Sequence, residues 1–310
     1  ELNLFPNVLI KLPNPPQAMA PAASSASTSS SPKPQRAYYI YKKLKRAIYG
    51  KVTLAIVLEP CPLDLLQSQS DGNDSNDSND NSSDNDSNDI TWTFTSQKVA
   101  IKQISWDKVH QLQGRNFAED PIKELAAMQF ISSPPHPNIT TALETLSDPR
   151  YIYCIMPYYN NGELFDHVKV GKFTESRSRF WFLQILAAMV KLQEKGMCHR
   201  DMSLENILVD DERAVVIDFG MCLRVPYNEN GRLVMPPQGH CGKYNYMSPE
   251  VWHNRDHFDG FAIDIWALGV ILFCMVCGVP PYDRPISEDQ RYERASAERS
   301  EARVSEARRE

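Results

Sequence analysis

The chain has no small disulfide framework. Its seven cysteines, at 61, 154, 198, 222, 241, 274 and 277, are odd in number and spread through apolar segments. A reducing setting, intracellular and cytoplasmic, is therefore the expectation. Cys274 and Cys277 form a C-x-x-C, but they sit in an apolar helical run with no second ligand pair nearby, which favours a core role over zinc or redox chemistry. A long membrane-crossing run is also missing. The longest uncharged apolar stretch, 265–282, is broken by Gly278, Pro280 and Pro281, short of the ~20 residues a span needs. It reads as a buried core helix. Residues 1–12 lack a basic start and a small-residue cleavage site, so no signal peptide is expected. A strong charge of one sign is absent too. Seven Asp lie in 67–89 with no Lys or Arg, and setting them aside turns the net charge of −6 into about +1. Neither a nucleic-acid footprint nor a polyacidic binder follows, and neither nucleic acid nor membrane is expected as a partner.

What is present is enough apolar material, 42% of 310 residues, for one large domain or two lobes. Residues 1–36, rich in Pro, Ala and Ser from 13 onward, read as a disordered arm. Strand-like runs at 38–44 and 51–58 flank a turn around Gly50, and further strands are predicted at 90–95 and 98–104. The acidic segment 67–89 between them reads as a solvated insert. An EF-hand is excluded there, because Asn79 takes the position that needs Gly and no Glu closes the loop. A helix is expected over 121–131, stopped by Pro-Pro-His-Pro at 134–137. A short strand follows at 151–159. A long helix at 175–195 has an apolar face drawn from Phe180, Leu183, Ile185, Leu186, Met189, Val190 and Leu192. Strands first and helices after predict a two-lobed α+β protein.

Phosphoryl transfer needs held phosphates, a metal bound by carboxylate and amide oxygens, and an acceptor for the hydroxyl proton. Four segments offer these in order. Val99-Ala100-Ile101-Lys102 places a Lys on a strand, and Glu124 follows on the helix 121–131. His199-Arg200-Asp201-Met202-Ser203-Leu204-Glu205-Asn206 supplies a carboxylate and an amide, and Asp218-Phe219-Gly220 comes after a strand at 214–217. Together they resemble the eukaryotic protein kinase family over about 38–293, most closely the Ser/Thr type because of Glu205. The stretch Gly-Glu-Leu-Phe-Asp-His-Val loosely resembles calmodulin-dependent and AMP-activated kinases. The resemblance implies a bilobal fold. A strand-rich lobe would span 38–156 and a helical lobe 160–293, with 295–310 a charged tail.

The resemblance further implies ATP and Mg²⁺ as cofactors and a protein substrate. Asp201 would accept the hydroxyl proton, Asn206 and Asp218 would hold the metals, and Lys102, fixed by Glu124, would grip the phosphates. Gly50 and Val52 belong to the phosphate-covering loop, and Val52, Ala100 and Leu208 would sandwich the adenine. Met156 would be the gatekeeper, Pro157 would offer its carbonyl and Tyr159 its N–H, and Glu163 would meet the ribose. Ser248-Pro249-Glu250 resembles the end of the activation segment, and Asp264 the buried brace of the catalytic loop.

Four departures stand out. Lys45 and Ala47 occupy the first two glycine positions of the phosphate loop. Ser203 stands where the family carries a Lys, while Lys243 stands where it carries a Thr, so the ammonium of Lys243 is expected near Ser203 and Asp201. No Ser or Thr lies between Gly220 and Ser248, so activity independent of their phosphorylation is expected, with Glu229 as an acidic partner for Arg200. Past Pro280-Pro281-Tyr282 the family continues for three or more helices. Here the resemblance fades near Arg294, so the helical lobe is expected to lack its last helices, Glu250 to lack a buried partner, and the flank of 265–276 to be exposed. A pseudokinase or scaffold that keeps the fold without transferring phosphate is the alternative reading.

Overall fold

The computed structural model describes residues 8–10, 36–61, 91–112, 119–229, 231–294 and 296–297. The acidic insert, most of the N-terminal arm and most of the charged tail fall outside them. The chain divides into two compact units, one formed by Glu1–Trp106 with Glu144–Tyr158 and the other by Asp107–Leu143 with Tyr159–Glu310.

The first unit is a six-stranded antiparallel sheet of β1 (Val8–Ile10), β2 (Ala37–Ala47), β3 (Gly50–Pro60), β4 (Trp92–Ser105), β5 (Glu144–Ser147) and β6 (Tyr151–Pro157), in the order β1-β2-β3-β4-β6-β5. The arm is thus not wholly without structure. Val8-Leu9-Ile10, a β-branched and apolar triplet, pairs with residues 37–39 of β2. Two strands expected at 90–95 and 98–104 are one. The polar Ser96-Gln97 is absorbed by a register shift between Ile56 and Leu58 on β3, and the Thr95 hydroxyl donates across to the Val57 carbonyl at 2.8 Å. The turn between β2 and β3 is Ile48-Tyr49, and Gly50 opens β3. Alternation sorts the side chains. Tyr38, Ala55, Val57, Val99, Ile101, Tyr153 and Ile155 pack into one buried cluster.

The second unit is mainly helical. A short α1 (Trp106–Leu112) runs on from β4, and α2 (Pro121–Ile131) follows. Asp120 caps α2, its Oδ1 accepting from the N–H groups of Ile122 and Lys123, and Pro121 stands in the first turn, where its missing N–H costs nothing. Beyond lie α3 (Leu164–Val170), α4 (Glu175–Glu194), β7 (Met197–Cys198), β8 (Ile207–Asp210), β9 (Arg213–Val216), β10 (Leu223–Arg224), β11 (Tyr227–Asn228), β12 (Gly231–Arg232), α5 (Pro249–His253) and α6 (Gly260–Cys277). Residues 107–143 go with this unit because Asp120 N–H donates to the Gly220 carbonyl and Thr140 N–H to the Val216 carbonyl. The Asn138 amide also reaches the Ala214 carbonyl and Gln184.

On α4 the buried stripe is Trp181, Ile185, Ala188, Met189 and Leu192, whereas Phe180, Leu183 and Val190 of the expected face are exposed. Those three lie off the 3.6-residue stripe through Ile185. α6 is long and apolar enough to cross a membrane by length and composition, yet ten of its eighteen residues are buried, including the ionisable Asp264. Ile265, Phe273 and Val276 on its other side are exposed. Ile265 and Phe273, with Trp266, Pro281 and Tyr282, rim a groove of about 970 Å³. Glu250 is half-buried and makes no ion pair among the described residues.

Candidate active site

The sheet of the first unit brings four predicted residues onto one face. Val52 on β3 lies opposite Lys102 on β4, and Ala100, two residues along, lies opposite Met156 on β6. Positions two apart on a strand, and directly opposite across strands, share a face. This is the face away from the Val99–Ile101–Ile155 cluster. Lys102 is buried. Pro157, at the end of β6, pairs with Val99. Gly50 has a packing reason of its own, because a Cβ there would fall 1.8 Å from the Gln103 carbonyl oxygen.

The second unit holds the rest. Glu124 is buried on α2. Glu163 and Leu208 face each other in an isolated antiparallel bridge, secured by Val209 N–H donating to the Gly162 carbonyl at 2.9 Å. Tyr159 directs its hydroxyl to Thr140 Oγ1 at 3.3 Å.

The catalytic loop is held from three sides. Asp264 on α6 accepts the backbone N–H of His199 at 2.7 Å on Oδ2 and that of Arg200 at 2.8 Å on Oδ1. Burial pushes the Asp264 carboxyl up from its ordinary range, and the charge and N–H groups of His199 and Arg200 oppose that push. The His199 ring fixes its own tautomer. Nδ1 accepts from Asp201 N–H at 3.3 Å, so Nε2 donates to the Ile217 carbonyl at 3.0 Å. Asn206 donates through Nδ2 to the Asp201 carbonyl at 2.7 Å and to Asp201 Oδ2 at 2.8 Å. Asp201 Oδ1 is buried and has no hydrogen bond. One carboxylate oxygen is thus clamped by Asn206, and the other carries no hydrogen bond.

Asp218 follows β9, whose end is tied to the loop by Ile217 N–H donating to the Asn206 carbonyl at 3.0 Å. Its φ of 67° is left-handed, a conformation that costs a non-glycine residue about 1–3 kcal/mol and persists where the surroundings enforce it. Phe219, wholly buried beside the His199 ring, and Gly220, bound to Asp120 N–H, supply that enforcement. The donor set fits Mg²⁺. Asp218 is exposed, and both hydrogen bonds of the Asn206 amide use Nδ2, which leaves its Oδ1 for a hard cation. Mg²⁺ is held by one or two such oxygens with phosphate and water completing the shell, so the absence of a larger acidic cluster among the described residues is in keeping.

The activation segment docks on the same loop. Lys243 Nζ donates to Ser203 Oγ at 2.8 Å and lies 3.6 Å from Asp201 Oδ1. Gly242 adopts φ 82°, and a Cβ there would come within 2.8 Å of the Arg200 carbonyl. This need for glycine escapes the motif pattern; only the unremarkable Gly-Lys pair hints at it. Burial raises the Tyr246 phenol, and the nearby charge of Glu205 adds to that push. Arg200 does not meet Glu229, which is exposed. The guanidinium is buried instead. Nη1 donates to the Met221 carbonyl at 3.3 Å and the group lies 5.9 Å from the Phe258 ring; burial raises the Cys241 thiol, against the opposing charge of Arg200. Arg200 and Glu229 fail to meet because Arg200 is anchored by its own backbone to Asp264 and turned into the core. Burial also pushes the Cys222 thiol up to about 11, which keeps it protonated and inert.

A family model described as "Protein kinase domain" matches residues 90–308, more than half of the chain. CBL-interacting protein kinase 9 of Oryza sativa subsp. japonica is 34% identical over 195 residues, covering 62% of this chain and 41% of that protein. CBL-interacting serine/threonine-protein kinase 15 of Arabidopsis thaliana is 34% identical over 190 residues, 61% of this chain and 42% of that protein. CBL-interacting protein kinase 21 of Oryza sativa subsp. japonica is 37% identical over 163 residues, 52% and 30% respectively. The chain thus spans about two fifths of the length of the first of these relatives. The family model, which covers more than half of the chain, shows the family: the chain belongs to the protein kinase domain family, with a clamped Asp201–Asn206 loop, a left-handed Asp218 and a buried strand lysine at the motif positions.

Proposed function

We propose that this chain transfers the γ-phosphoryl of ATP to Ser or Thr hydroxyls of a protein substrate. The observation that carries the reading is Asp201, with Oδ2 clamped by Asn206 and Oδ1 buried without a hydrogen bond. That oxygen is poised to take a proton from an incoming hydroxyl. On the sheet unit Lys102 would grip the α- and β-phosphates, and on the helical unit Glu124 is the buried carboxylate of the kind the family pairs with its strand lysine. On the sheet unit Val52 and Ala100 would face the adenine and Pro157 would offer it a carbonyl beside Met156; on the helical unit Leu208 would face the adenine, Tyr159 would offer an N–H and Glu163 would take the ribose. Gly50 keeps the covering loop close to β4. Asp218 and Asn206 hold Mg²⁺, which when bound neutralises charge on the phosphate oxygens. Serine and threonine are the favoured acceptors because Glu205 follows the Ser/Thr-type loop pattern and the similar proteins are named serine/threonine kinases.

Incubation with γ-labelled ATP, Mg²⁺ and a generic protein substrate, followed by phosphoamino-acid analysis, tests this. Label on serine and threonine is the expected result. Nucleotide binding without any transfer would overturn it in favour of a scaffold role, and label confined to tyrosine would overturn the acceptor class.

A further inference from the structure

The charge beside Asp201 comes from an unexpected element. Ser203, two residues after Asp201 and wholly buried, brings no charge of its own. Arg200, the cation next to Asp201 in sequence, is turned into the core toward the Met221 carbonyl and the Phe258 ring. The ion pair made to Asp201 among the described residues comes from Lys243, on the segment leading to Ser248. Two features hold it there. Ser203 Oγ accepts its Nζ at 2.8 Å, and Gly242, with a left-handed φ and no Cβ, lets the backbone close on the Arg200 carbonyl. The ammonium lies 3.6 Å from Oδ1, the oxygen left without a hydrogen bond. The Lys243 side chain is about one-third exposed, 34%, so it is open to a ligand from one side.

We propose that Lys243 is a catalytic cation for phosphoryl transfer, delivered from the activation segment, and that Ser203 is its positioning residue. This deepens the kinase reading and rests on it. In the step, the bond from the γ-phosphorus to the bridging oxygen breaks with its electron pair leaving on ADP. The bond to the substrate oxygen forms, and the hydroxyl proton passes to Asp201 Oδ1. Lys243 keeps its proton throughout and offsets charge on the equatorial oxygens, where a preorganised donor acts most strongly.

The test compares wild type, D201N, K243M, K243R, S203A and the exchange S203K/K243T. It reads kcat and KM, and by calorimetry the affinity for a non-hydrolysable ATP analogue relative to ADP. K243M should lower kcat by about 10²-fold, the scale of losing one preorganised donor, with KM for ATP little changed. It should also narrow the preference for the analogue over ADP. K243R should recover part of the rate, and S203A should lose less than K243M. The exchange variant, which returns the ammonium from the other side of the same hydrogen bond, should restore most of kcat and the analogue preference. A K243M enzyme with wild-type kcat and preference overturns the proposal and leaves the kinase reading standing. So does a folded exchange variant as slow as K243M. A wild-type chain that transfers no phosphate overturns the reading beneath it, and the proposal with it.

Discussion

At the scale of single residues, the site depends on groups that are costly elsewhere in a protein. Asp218 and Arg200 both hold positive φ, and Asp264 is a carboxylate in the core of the helical unit. Gly242 supports the sharpest prediction at this scale. Alanine there would adopt φ 82° and press its Cβ to 2.8 Å from the Arg200 carbonyl. G242A should cost about 1–3 kcal/mol in stability and should slow transfer by moving Lys243. A thermal melt and an initial rate measured side by side check this, and an unchanged melt would contradict the assigned backbone strain. Most of these residues were legible in the sequence, because phosphoryl transfer needs a small set of residue types in one order. Lys102, Asp201, Asn206 and Asp218 follow from the order of their segments together with the resemblance of those segments to the protein kinase family. Arg200 was not legible. Its type invites an acidic partner, but its direction is set by Asp264, which is 64 residues away in sequence and grips its N–H. Motif spacing carries no information about such a long-range tie.

At the scale of elements, local signals worked where they were chemical and failed where partners decide. Asp120 and Pro121 announce α2, and the helix runs over the residues expected, Pro121–Ile131. Along α4, apolar residues outnumber the places to bury them, so Phe180, Leu183 and Val190 stay in solvent. Periodicity reports which residues are apolar; the neighbours choose the stripe. β4 was split in the sequence reading because Ser96-Gln97 look like a break, whereas a bulge absorbs them. The turn from β5 to β6 gives a pH test. Desolvation pushes the Asp148 carboxyl up, but the N–H of Arg150, the Tyr153 hydroxyl and the N–H of Tyr151 outweigh it, so the net shift is downward. A carboxyl lowered on folding stabilises above its unfolded pKa of about 3.9 and loses that contribution as pH falls through the folded value. D148N should therefore melt below wild type at neutral pH, with the gap closing in acid. A gap that is constant with pH would contradict the assignment.

At the scale of the whole molecule, the chain divides into two compact units, one a sheet and the other mainly helical. The sheet holds Val52, Ala100, Lys102 and Met156, and the helical unit holds Asp201, Asn206, Asp218 and Lys243. Residues 221–247 contain no Ser or Thr, and Arg200 is buried among a carbonyl, a thiol and a ring. Treatment with a Ser/Thr phosphatase should leave the rate unchanged. A loss traced to phosphate stripped from that segment would contradict this. The central claim is that Asp201 takes the substrate proton. Single-turnover transfer from labelled ATP by wild type and D201N tests it most directly. Loss of a general base costs about 10²–10⁴-fold, so D201N should fall to background while still binding nucleotide. A D201N enzyme that transfers phosphate at the wild-type rate would contradict the account.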